Sequence, residues 1–188
     1  MSSGSKYSIL IFLILTAELC NGSKQQKGPR LVYFVKSDLT FNPRYLQDHF
    51  IIIAPDRLTV NITLNFAVDF INDPWAEIML GVKNRKDNNY RNLFKYDINV
   101  CTVLGKSGVN QLNKFALGWI NNVWKYGNLP KSCPLKKDNY SFINLRPEKI
   151  NIPNFIPLGR YRAVVYTYFR EGVSKDYIAN CTVYVDIK

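Results

Sequence analysis

Histidine is almost absent from this chain: among 188 residues only His49 carries an imidazole. It stands before the apolar run Phe50–Ile53, a setting that suits a structural ring better than a catalytic one. There is no paired carboxylate motif, no nucleophile elbow and no phosphate-cradling glycine loop. The sequence therefore reads as non-enzymatic, with no cofactor and no metal, and its four cysteines lack zinc-ligand spacing. Carboxylates are scarce too. Fourteen Asp and Glu face 25 Lys and Arg, a net charge of +11. After Leu15 no long apolar run occurs, so no transmembrane span is expected in the mature chain. The basic residues form no dense tract. Lys83, Arg85 and Lys86 make one small group, Arg91 and Lys95 a second, and Lys131, Lys136 and Lys137 a third. Such a surface can meet an anionic membrane or an acidic polysaccharide.

Residues 1–22 have the layout of a secretory signal peptide. Lys6 supplies the positive start, Ile9–Leu15 the apolar stretch, and Cys20 and Gly22 the small residues. Cleavage is expected after Gly22, with Ala17 and Cys20 as alternatives. Residues 23–188 are then one extracellular domain, large enough for a real core. Lys6 and Glu18 leave together, so the net charge is unchanged. This compartment speaks against nucleic acid as a partner. Outside the cell thiols oxidise, and cleavage after Gly22 leaves Cys101, Cys133 and Cys181. Cys101–Cys133 is the most economical pair, because it closes a loop around a helix-like segment. Cys181 is then free, joins a partner chain, or bonds Cys20 if cleavage falls at Ala17. Glycosylation sequons start at Asn61, Asn139 and Asn180, and each predicts an exposed side chain.

The clearest strand signal runs over Arg57–Phe70. Leu58, Val60, Ile62, Leu64, Phe66, Val68 and Phe70 take every even position, with mostly polar residues between them. That alternation predicts a sheet with one wet face, and Asn61 falls on it. Further strands are expected at Leu31–Val35, His49–Ala54, Trp75–Val82, Leu93–Val103, Arg160–Arg170 and Tyr177–Ile187, and the segments Tyr140–Leu145 and Lys149–Ile152 follow Cys133. The continuous run Phe50–Ile53 suggests a strand buried on both faces. Phe94, Tyr96, Ile98 and Val100 share one face of the Leu93–Val103 segment. Between Gly108 and Gly127 the spacing changes. Leu112, Phe115, Trp119, Ile120, Val123 and Trp124 step by three or four, which predicts an amphipathic helix ended by Gly127 and Pro130. Seven or eight strands with one helix point to a two-sheet, immunoglobulin-like sandwich or cup.

Several stretches carry a resemblance. NYRNLFKYDINVC, then YGNLPKSCP, then IPLGRYRAVVYTYF with its closing strand, resemble a family of insect secreted proteins. These are similar to the ML-related lipid-recognition sandwiches, and most of all to the chemosensory CheB branch. The resemblance implies an apolar ligand such as a lipid or cuticular-hydrocarbon-like pheromone, and a role in gustatory pheromone perception. Members often carry an extra cysteine pair near the mature N-terminus, which this chain lacks between Ser23 and Val100. The pocket candidates are Phe66, Phe70 and Trp75 on the sheet, Phe115 and Trp119 on the helix, and Val165 with Phe169 opposite. Ordinary core packing accounts for any one of these rings as well, since burial alone stabilises by roughly 1.5–3 kcal/mol per large side chain. The alternative function is an extracellular interaction module with a filled core that acts on a receptor or ion channel.

Overall fold

The computed structural model describes residues 30–105, 121, 123–147, 152 and 156–188. The expected leader, the Ser23–Pro29 tail, Phe115 and Trp119 lie outside them. Eight strands are described: β1 (Val32–Phe41), β2 (Leu46–Ile53), β3 (Val60–Phe66), β4 (Pro74–Lys83), β5 (Tyr90–Asn99), β6 (Asn139–Leu145), β7 (Gly159–Glu171) and β8 (Ser174–Ile187). They form two antiparallel sheets, ordered β1-β8-β7-β4-β5 and β2-β3-β6. The protein is a mainly β two-sheet sandwich, as the alternation predicts. None of the described helices is long and apolar enough to cross a membrane.

The smaller sheet follows the parity rule. Val60, Ile62, Leu64 and Phe66 of β3 enter the interlayer clusters. Asn61, Thr63 and Asn65 therefore lie on its outer face. The strand ends at Phe66, earlier than the expected Phe70. Asp69 turns away to take the backbone N–H of Lys137 and the ammonium of Lys136. Phe70 still reaches the core, because its N–H bonds the Leu135 carbonyl across the gap. β2 corrects the reading of Phe50–Ile53 as buried on both faces. Its sheet is covered on one side only, so Ile51 and Ile53 pack inward, while Phe50 and Ile52, opposite Thr63 and Asn61 on the outer face, stand more than half exposed.

In the larger sheet β7 and β8 are joined by a two-residue turn that opens at Gly172, φ +60°, where a side chain is strained. Ala179, Cys181, Val183, Val185 and Ile187 share the inner face, as the sequence predicts. β5 departs from its expected course. It stops at Asn99, whose side chain caps a short helix α1 (Val100–Leu104) by accepting from the Thr102 N–H at 2.8 Å. Cys101 thus sits on a helix and not on a strand. Residues 123–126 are helical as well, and Val123, Trp124 and Tyr126 pack between the layers. Gly127 then runs against β6 so closely that a Cβ there would meet the Phe142 ring at 2.2 Å.

Two ties hold the layers together. At one end Arg57, in the left-handed region at φ 64°, clasps Phe34 of β1. Its carbonyl accepts from the Phe34 N–H and its Nε donates to the Phe34 carbonyl at 2.8 Å. At the other end Cys101 and Cys133 are bonded, with Cα atoms 5.5 Å apart and a sequence separation of 32. This is the pair the sequence singled out. Cys181 is free, half-buried on β8, and burial pushes its thiol up from the ordinary value.

Candidate functional site

The site of interest is the inner face of the five-stranded sheet, which the three-stranded sheet covers only in part. Register fixes which side chains share that face. One row is Phe94–Leu80–Ala163–Val183, the next Tyr96–Ile78–Val165–Cys181, the next Ile98–Ala76–Thr167–Ala179. At the β8 end of the rows Val183 and Val185 pack with Phe34 against Val60, Ile62 and Phe142 of the smaller sheet. At the β5 end the packing runs out. Ile78, Phe94, Tyr96, Ile98 and Val165 join none of the buried clusters formed among the described residues. Phe94 is 37 % exposed and Tyr96 57 %. Their rings lie 5.2 Å apart and extend an apolar strip along the β4–β5 flank.

The expected pocket residues separate into three groups. Phe66, Phe70 and Phe169 do come together, but as solid packing with Tyr45 and Tyr140. Phe66 stacks on Phe70 at 4.6 Å, and Phe169 meets the edges of Phe70 and Tyr45 at 5.1 Å. All five are buried. Val165, half-buried, instead shares a row with Ile78 and Tyr96, outside the buried clusters formed among the described residues. Trp75 is in neither place. It pairs with Tyr168 on the outer face of the larger sheet, with the Arg170 guanidinium 3.4 Å above its ring. Grouping Trp75 with Phe66 is therefore corrected, because the sheet separates them. Phe115 and Trp119 lie outside the described residues. Reasoning from the sequence missed Ile78 and grouped Phe94 and Tyr96 only as one strand face. Their signal was the parity of β4, in which Glu77 marks the wet side and so sends Ile78 inward.

One polar atom sits in this apolar setting. Trp124, packed against the cluster that holds Leu104, keeps its Nε1 buried with no acceptor. An unmade buried bond of this kind costs about 1–3 kcal/mol.

The outer face of the same sheet is ionic. Glu77 accepts from Lys95 at 3.0 Å and Lys175 at 2.7 Å, and these bonds hold its carboxyl below the usual range. Asp186 is held low by Arg160 and then by Arg57. Burial pushes Asp97 up, but bonds from Tyr168 and Arg170 outweigh it, and the net shift is downward. Depressed carboxyls stabilise the fold above their unfolded pKa values and lose that contribution as pH falls through the folded ones. We expect the melting temperature to hold from neutrality to about pH 5 and then to fall progressively. The acid slope should be shallower in Asp186→Asn, which melts lower at neutral pH. Thermal melts across pH 2–7 check both, and a wild-type profile flat down to pH 3 would oppose it.

Among the described residues one trio, Asp73, Cys101 and Cys133, has metal-ligand spacing, but its two sulfurs are bonded to each other. His49 packs edge-on against Phe41 at 5.1 Å. Of the sequon residues, Asn61 accepts from the Asn144 N–H on the outer face of the smaller sheet. Asn139 is exposed at the start of β6, and Asn180 faces outward between Thr40 and Tyr166.

Residues 78–163 match a family described as "Protein of unknown function (DUF1091)", a little under half of the chain. The matched stretch holds most of β4, all of β5 and α1, both bonded cysteines, β6 and the start of β7. It therefore includes Ile78, Phe94, Tyr96 and Ile98. No curated protein matches the chain.

Proposed function

We propose that the protein is a secreted, non-catalytic binder of an apolar ligand of the lipid or long-chain hydrocarbon class, received along the β4–β5 flank. The observation that carries this is the inner-face strip of Ile78, Phe94, Tyr96, Ile98 and Val165, which joins no buried cluster among the described residues and in which Phe94 and Tyr96 are exposed. Inner-face apolar residues of a sandwich ordinarily meet the opposing sheet, so a strip left open is a surface for apolar contact. The aromatic cluster around Phe66 is filled, so we put the ligand outside it. The resemblance to the ML-related and CheB proteins agrees with this class, and a role in pheromone perception rests on that resemblance.

The test is a titration with a fluorescent long-chain fatty acid, alongside native mass spectrometry of the secreted protein. Tyr96→Asp with Phe94→Asp places charge on the strip at positions already partly exposed, so the fold should survive. We expect the double variant to bind at least tenfold more weakly, about 1.4 kcal/mol, with little change in melting. Equal affinity in variant and wild type would remove the strip from the site. Absence of any uptake by wild-type protein would favour the interaction-module reading.

A further inference from the structure

The outer face of the five-stranded sheet is layered by charge. Its carboxylates form the floor: the Glu77 and Asp186 side chains are 13 % and 14 % exposed. Its cations form the upper layer, with Lys95, Lys175, Arg57 and Arg160 at 33–59 %. Each of the two carboxylates is shared by two cations, so each centre keeps one positive charge in excess. Arg170 pairs one-to-one with Asp97, whose side chain is 34 % exposed, and lies over the Trp75 ring. Arg162 stands between the centres over the Tyr90 ring at 4.8 Å, and its Nε is buried with no acceptor. The centres are set by register at Glu77↔Tyr166 and Asp186↔Arg160. Six residues of β7 separate those rungs, about 20 Å along the strand.

We propose that this face binds a linear, sulfated polysaccharide laid along β7. A single headgroup cannot reach both centres, whereas a chain with regularly repeated anions can. Guanidinium forks match the oxygens of a sulfate. Of the tyrosines of this face Tyr177 is half exposed, at one end beyond the Glu77 centre, and the two under the cations are covered. Tyr168 is fully buried beneath Lys175, and Tyr90 lies under Arg162 with its ring against Tyr184. A bilayer would need apolar tips projecting among the cations, and the exposed apolar strip is on the other side of the sheet.

The test measures affinity for heparin at several salt concentrations. It uses secreted protein after enzymatic removal of N-glycans, because Asn180 shares this face. We expect saturable binding that weakens steeply with salt, as counterion release requires. Lys95→Gln with Arg162→Gln should weaken it at least tenfold and flatten the salt dependence. Lys136→Gln with Lys137→Gln removes the same charge from another surface and should weaken it less than twofold. Equal losses in the two double variants would mean that net charge alone is sensed, and would overturn the proposal. So would stronger binding to phosphatidylserine vesicles or to a single-stranded oligonucleotide than to heparin. Circular dichroism confirms that each variant is folded.

Discussion

Removing the Cys101–Cys133 bond, by Cys101→Ser with Cys133→Ser, is expected to lower stability by about 3–4 kcal/mol. That value is the loop-closure entropy of a crosslink of this span in the chain-entropy model. For a domain of this size it corresponds to a fall in melting temperature of about 10 °C. Two native contacts loosen with it. Cys133 packs on the cluster of Phe70 and Leu135, and Cys101 fixes α1 below the end of β5. Reducing the wild-type protein should produce a fall of similar size, while the double variant should be indifferent to reductant. Unfolding curves with and without dithiothreitol check this. Coincident melts for oxidised and reduced wild type would show that the bond adds nothing to an already rigid corner.

Phe66→Ala is expected to cost about as much or more, roughly 3–5 kcal/mol, because the ring is surrounded and its neighbours cannot collapse into the space. Phe70 stacks on one side, Tyr140 meets its edge at 4.9 Å, and Leu135 closes the same cluster. Val165→Ala deletes a smaller, half-buried side chain that joins no buried cluster among the described residues. It should cost about 1 kcal/mol in free protein, since less packing surrounds it. Urea unfolding of the two variants separates a filled region from an open one. Comparable costs at the two positions would contradict the division of the inner face drawn here.

Much of this architecture was legible in the residues, and particular features explain where reading stopped. Strand β3 declared itself because polar residues punctuate it at every second place. The cysteine pair was legible because its bond closes a loop around the one helix-like segment. β4 was harder: PWAEIML is apolar at nearly every position, and only Glu77 reveals which phase faces water. Reading Trp75 as inward followed from its bulk and ignored that one carboxylate. The turn from β5 into α1 was hidden for a related reason. Asn99 is a good helix cap, but Val100 continues the alternation of Phe94, Tyr96 and Ile98, so the period carried the strand too far. The exposure of Phe50 and Ile52 left no local trace, because an unbroken apolar run does not mark which of its faces the other sheet covers.

The clasp of Arg57 on Phe34 and the sulfur bond near Asn99 lie at opposite ends of β7. With both ends anchored, the two layers cannot part by pivoting about either one. Separation is left to the lateral margin where β4 and β5 overhang the smaller sheet. The Phe94 and Tyr96 rings at that margin lie outside the Phe66–Phe70 stack, so a change at the margin leaves the packed centre of the sandwich in place.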